Sequence, residues 1–144
     1  MDLKEQLKRA MYIAIKAHEK QLDRNNQPYI GHPLRVMEAG KTSEEKIVGV
    51  LHDLIEDTKI TLTNLSNEGF SDNIIDAVHA LSKLDNEKYD HYIQRVQKND
   101  LAVRVKLNDL TDNMDLRRLE ELTDEDVTRM RKYLNAYNQL TNKK

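Results

Sequence analysis

The sequence predicts an all-α protein, and three observations carry that reading. Apolar residues recur at three- and four-residue steps along most of the 144 residues, only four Gly and two Pro punctuate them, and strings of alternating β-branched residues are absent. The length suits one ordinary domain with one compact core. No linker, internal repeat or low-complexity tract divides it, so residues 1–144 are expected to form a single domain.

Leu3, Leu7, Ala10, Met11, Ala14, Ala17 and His18 share one face of a first helix that ends near Gln21, which puts His18 on the buried stripe. Asp23 to Gln27 is polar and Pro28 disfavours helix before it, so a loop follows. Pro33 starts a short second helix through Leu34, Val36, Met37 and Ala39, stopped by Gly40, with His32 at its start. Thr42 and Glu45 form a capping box for a third helix, Ile47, Val48, Val50, Leu51, Leu54 and Ile55. That helix is apolar nearly all round, so it runs through the core and carries His52 and Asp53 inward. Thr61 to Glu68 reads as a short helix stopped by Gly69, and Ser71 caps another whose inner face is Ile74, Ile75, Val78 and Leu81. Tyr89, Tyr92, Ile93 and Val96 anchor an otherwise polar stretch from Asn86 to Lys98. Beyond Asp100, Val103, Leu107, Leu110 and Met114 form an apolar stripe, with a polar seam of Lys106, Asp109 and Asn113 beside it. A final helix starts at Thr123-Asp124-Glu125-Asp126 and runs through Met130, Leu134, Tyr137 and Leu140, leaving Asn142-Lys143-Lys144 as a fraying tail.

Composition narrows the function. Lys plus Arg number 23 against 25 Asp plus Glu, a net charge of −2, which offers no basic field for nucleic acid. There is no cysteine, so disulfides, thiolate zinc sites and a cysteine nucleophile are excluded, and any metal must be held by nitrogen and oxygen. The N-terminus has no apolar stretch for secretion or for spanning a bilayer. A cytoplasmic protein is expected, monomeric or homodimeric, acting on a small molecule with no nucleic-acid or membrane partner.

The densest chemistry lies in His52-Asp53-Leu54-Ile55-Glu56-Asp57-Thr58, where one histidine and three carboxylates fall within two helical turns. If this segment is helical, positions 52, 53, 56 and 57 spread over an arc of about 140° and face one cleft. Taken alone, the same residues also fit the solvated acidic end of a helix. His32 and Asp109 join His52 and Asp53 as ligand types on three separate elements. Two imidazoles and two carboxylates suit Mn²⁺, Fe²⁺ or Zn²⁺, and such a centre generates a hydroxide near neutral pH. Glu56 and Asp57 are spaced to handle protons beside it. His18 reads as a core histidine outside the metal set, and His79 and His91 as surface residues. Tyr29 packs under the site or lines it, and Lys106 either pairs with a carboxylate or contacts phosphate.

Four strings carry a family resemblance: Ala17-His18-Glu19-Lys20-Gln21, Pro28-Tyr29-Ile30-Gly31-His32-Pro33, the Leu51 to Thr58 segment, and Lys106-Leu107-Asn108-Asp109 followed by Asn113-Met114. In that order, over roughly residues 5–140, they resemble the hydrolase domain of RelA/SpoT-type proteins in the HD phosphohydrolase superfamily, especially the stand-alone small alarmone hydrolases. The resemblance implies an all-α domain that binds one Mn²⁺, with Zn²⁺ or Fe²⁺ as substitutes. It also implies removal of the 3′-diphosphate from guanosine tetra- or pentaphosphate. Its motif places the metal on His32, His52, Asp53 and Asp109, and makes Glu56 and Asp57 the acidic pair that orients the attacking water. Asn113 takes a substrate-facing position, while Arg24 and Lys106 supply positive charge for the phosphates.

The sequence departs from that pattern at Leu22-Asp23-Arg24, where relatives usually carry a basic pair, and at Leu110 and Asp112. Asp23 there is expected to weaken guanine recognition. An HD phosphatase acting on NADPH, an adenosine alarmone or a nucleoside monophosphate is one alternative, and a non-catalytic nucleotide sensor is another. The intact ligand set and the Glu56-Asp57 pair argue against the sensor. No alarmone-synthesising region is expected, since the sequence stops soon after the hydrolase-like part.

Overall fold

Caps and packing set the helix ends in the computed structural model, which describes residues 1–142. Helix α1 (Leu3–His18) begins where the Asp2 side chain accepts the Glu5 amide. It ends three residues short of Gln21, whose own amide instead bonds the His18 carbonyl. Its buried face is Gln6, Ala10, Ala14 and His18. Gln6, outside the apolar pattern, donates to the Ser71 hydroxyl at 2.9 Å and accepts the Ser71 amide at 3.0 Å, tying two distant helix starts together.

The loop after α1 is pinned by an isolated antiparallel bridge between Leu22 and Pro28. Helix α2 (Gly31–Ala39) follows and stops at Gly40, which is extended rather than left-handed. Helix α3 (Ser43–Leu51) starts at Thr42, whose hydroxyl oxygen accepts the Glu45 amide. The apolar pattern predicts one helix through Ile55, but the structure divides it, and a four-residue helix α4 (Leu54–Asp57) follows a break at His52-Asp53. The cause is local. His52 Nδ1 lies 2.6 Å from the Gly49 carbonyl, the acceptor that a continuing helix would give to the Asp53 amide.

Helix α5 (Leu62–Asn67) has a reciprocal cap between Thr61 and Asn64, and the chain turns at Gly69 with φ of 96°. Then come α6 (Asp72–Leu81), α7 (Tyr89–Gln97) and α8 (Asp100–Asn113), a 3-10 turn at Leu116–Arg118, and α9 (Asp124–Leu140) with a Thr123–Asp126 capping box. Lys143 and Lys144 of the expected tail lie outside the described residues. The all-α expectation holds, and no described helix is long and apolar enough to cross a membrane.

Helices α3 and α8 form the centre. Ile47, Val48, Val50 and Leu51 of α3 are fully enclosed by α1, α2, α6 and α8. Three expected faces shift. On α6 Ala77 is buried where Ile75 is only half-buried, and on α9 Ala136 and Leu140 are buried while Leu134 is exposed. On α8 the buried face is Leu101, Ala102, Val105, Lys106, Asp109 and Leu110, so the polar seam goes inward and Val103, Leu107 and Met114 are left half-buried. A helix with apolar residues on several sides does not announce which side its neighbours cover.

The close approach of α2 and α3 sets the site. A Cβ at Gly49 would lie 3.1 Å from both the Cα and the amide nitrogen of Met37, so any larger residue would push these backbones apart by a few tenths of an ångström. Gly49→Ala is therefore expected to destabilise the protein by ~1–3 kcal/mol through overpacking. Urea unfolding checks this, and an unchanged midpoint would show that the two helices separate without cost.

Candidate active site

The break between α3 and α4 turns His52 and Asp53 toward the first turn of α2 and the middle of α8. His32 Nε2 lies 2.8 Å and His52 Nε2 3.2 Å from the same oxygen, Asp109 Oδ1. Asp53 closes the group, with Oδ1 3.1 Å from His52 Nε2 and Oδ2 3.6 Å from His32 Nε2. The structure thus brings the four sequence-nominated ligands to one point, and suitable donor atoms of His32, His52 and Asp109 all lie within 4.8 Å of one another.

The outward nitrogens are fixed as well. A carbonyl oxygen only accepts, so His52 Nδ1 must carry the hydrogen it shares with Gly49, and the neutral ring keeps its lone pair on Nε2. His32 Nδ1 meets Asp112 Oδ2 at 2.7 Å in the same manner. Rings held this way from behind are those that present Nε2 to a metal.

Asp109 is the hub. Its Oδ2 accepts the Lys106 ammonium at 2.8 Å and its Oδ1 the Asn113 amide at 3.1 Å, in addition to the two rings. Burial opposes the Asp109 charge, but the Lys106 ammonium and the two histidines outweigh it and hold the carboxyl well below the usual range. Burial likewise works against charge on His32, yet hydrogen bonds to Asp109 and Asp112 raise its pKa to about 10. His52 and Lys106 are also raised against their burial, chiefly by Asp53 and Asp109 for the first and by Asp109 for the second. The carboxylates thus favour positive charge at the point where the two rings meet, as a site for a divalent cation would. The nitrogen and oxygen donors fit such an ion, whose uptake would release protons.

These groups form one wall of a cleft of about 550 Å³. Glu56 and Asp57 stand at its edge, where Glu56 Oε1 accepts the Lys83 amide and Gln21 Nε2 donates to the Asp57 carbonyl at 2.9 Å. Both residues are exposed, but the protein around their carboxyls disfavours charge and raises both pKa values, with the Asp53 carboxylate adding to the effect. Of the nominated substrate groups, Arg24 is exposed at the cleft and Asn113 and Lys106 line it. The Lys106 ammonium is buried, paired with Asp109 and 5.1 Å from the Tyr92 ring centroid. That favours the reading in which it braces a carboxylate.

Sequence reasoning puts Tyr29 at the site without a partner and misses two further contributors. The Tyr29 hydroxyl donates to Asp53 Oδ2 at 2.5 Å, a role hinted at only by its place beside His32. Lys83 and Lys132 line the cleft with no distinguishing signal around them. Crowding and then the neighbouring charges of Lys106, Arg129, Arg24 and Lys83 lower the Lys132 pKa. His18 stays behind the site, with Nδ1 2.7 Å from Gln21 Oε1 and its ring 5.1 Å from that of Tyr29, while His79 and His91 are exposed.

Asp23 shapes the loop beside the site. Its Oδ1 accepts the amides of Asn25 at 2.8 Å and Gln27 at 3.0 Å, and Asn26 takes a left-handed φ of 61°. The carboxylate builds the turn that presents Arg24, and with Arg24, Tyr29, His32 and Asn113 it lines a hollow that adjoins the cleft.

The chain is 30% identical over 122 residues to the guanosine-3′,5′-bis(diphosphate) 3′-pyrophosphohydrolase of Aquifex aeolicus (strain VF5), covering 76% of this chain and 17% of that protein. The protein of the same name from Haemophilus influenzae is 34% identical over 117 residues, 71% of this chain and 17% of its own length. The chain carries a RelA/SpoT-type HD hydrolase domain. The GTP pyrophosphokinase of Myxococcus xanthus matches this HD domain at 31% identity over 157 residues, 95% of this chain and 20% of the relative. A solved structure described as a metazoan ortholog of SpoT that hydrolyzes ppGpp shares the HD fold with a TM-score of 0.77, at 17% identity, over 94% of this chain and 84% of that one. No family model matches the chain. The HD domain spans a fifth or less of the length of these curated relatives.

Proposed function

We propose that this HD domain is a Mn²⁺-dependent phosphohydrolase that removes the 3′-diphosphate from guanosine tetra- or pentaphosphate. The observation that carries the reading is the convergence of His32 Nε2, His52 Nε2, Asp53 and Asp109 beside the paired acids Glu56 and Asp57. The relatives named 3′-pyrophosphohydrolases support it, and Zn²⁺ or Fe²⁺ would suit the same donors. When bound, the ion supplies Lewis acidity and lowers the pKa of a water.

The residues divide the remaining work. Asp109, braced by Lys106 and Asn113, and Asp53, braced by the Tyr29 hydroxyl, keep two carboxylates in place opposite two rings. Glu56 takes a proton from the attacking water as a P–O bond forms. The bond from the same phosphorus to the ribose 3′-oxygen breaks, and Asp57, beside Glu56 at the edge of the cleft, returns a proton to that oxygen. Arg24, Lys83 and Lys132 offset the phosphate charge, and Asn113 reaches the ribose or phosphate.

The test is release of pyrophosphate and orthophosphate from a nucleotide panel, with Mn²⁺ and with chelator. Pyrophosphate from guanosine tetraphosphate, lost with chelator, is expected. Orthophosphate from NADPH or a nucleoside monophosphate instead would reassign the substrate, and turnover unaffected by chelator would end the metal-dependent reading.

A further inference from the structure

His32 is bracketed by two carboxylates of one helix. Asp109 and Asp112 stand three apart on α8 and so share a face, and they meet opposite nitrogens of the same ring, Nε2 at 2.8 Å and Nδ1 at 2.7 Å. The Asp109 side belongs to the metal centre already described. The Asp112 side lies behind the His32 ring and offers no atom to the group of Nε2 and carboxylate donors, yet it is held from several directions.

Arg35, one turn along α2 from His32, donates from Nε to Asp112 Oδ1 at 2.8 Å. Arg118, in the 3-10 turn after α8, lies 3.3 Å from that oxygen through Nη1 and donates from Nη2 to the Asp112 carbonyl at 2.6 Å. The side chain of Asp112 is largely shielded, at 12% exposure, whereas Arg35 is 41% exposed. Two arginines therefore keep the carboxylate charged and stationary, and Oδ2 makes its shortest contact, 2.7 Å, with the ring while Arg118 Nη2 reaches it only at 3.5 Å.

We propose that Asp112, clamped by Arg35 and Arg118, is a positioning residue that sets the tautomer and aim of His32 and strengthens its hold on the metal. The chemistry is that of a carboxylate behind a ligating imidazole. The Nδ1 hydrogen is committed to Asp112, which leaves the lone pair on Nε2, stops the ring from rotating and makes the nitrogen a stronger donor. For His52 the same task falls to a neutral carbonyl, so the two rings are unequal ligands. The inference rests on the metal-dependent reading above, and concerns affinity for the ion rather than contact with substrate.

The test is calorimetric titration of the whole, chelator-stripped protein with Mn²⁺ alone, beside thermal unfolding in chelator. Asp112→Leu is expected to bind Mn²⁺ about 10- to 100-fold more weakly. Asp112→Asn, which keeps an oxygen for Nδ1 and loses the charge, is expected to fall between that variant and the parent. A merely structural role would lower the melting temperature of both variants and leave Mn²⁺ affinity unchanged, and that result overturns the proposal. If Asp112→Leu does not fold, Asp112→Asn decides alone, because parent-like affinity there overturns the proposal equally. Failure of the parent protein itself to bind Mn²⁺ removes the metal-dependent reading, an outcome distinct from parent binding that Asp112 does not influence.

Discussion

Asp109→Ala is expected to destabilise the metal-free protein by ~3–5 kcal/mol and to abolish Mn²⁺ binding at the same time. The magnitude follows from what the carboxylate balances. Asp109 is buried and accepts from His32, His52, Lys106 and Asn113, and its removal strands an ammonium beside Tyr92 with no opposite charge in contact. The rings can give up charge, but Lys106 then loses most of what offsets the cost of burying its ammonium. Urea unfolding in chelator measures the loss. A change below about 1 kcal/mol, the usual worth of an exposed pair, would mean that water reaches the cluster and screens it. Asp109→Asn keeps the shape and the acceptor oxygen, so a smaller loss of stability with the same loss of Mn²⁺ would separate the structural role from the metal-holding one.

Glu56→Gln is expected to keep Mn²⁺ and to lower kcat by about 10²- to 10⁴-fold, the usual contribution of a positioned acid or base. Gln keeps an oxygen for the Lys83 amide, so the edge of the cleft is retained while the proton acceptor is lost. Asp53→Asn should behave differently and lose metal and turnover together, because Asp53 lies 3.1 Å from His52 Nε2 and 3.6 Å from His32 Nε2. Metal content after gel filtration, set beside kcat, reads both variants. Equal metal loss in the two would take Glu56 out of the proton-handling role and place it among the groups that hold the ion.

What the sequence by itself determined is local. Thr42 with Glu45 and Thr123 with Asp126 mark helix starts because a cap and its partner lie within one turn, and the structure places helix starts there. The strings around His32, His52 and Asp109 nominated the converging residues because ligand types in a fixed order are legible without knowing how the chain folds. Tertiary structure decided the rest. It broke the central helix at His52-Asp53, where the His52 ring takes the Gly49 carbonyl, and it turned the polar seam of α8 inward against α2 and α3. It also set Asp112 behind His32, 80 residues away in sequence. Hydrophobic period and cap chemistry are read across three or four residues, whereas the partner of a buried charge depends on which helix faces another, and that is settled only when Gly49 lets α2 and α3 touch.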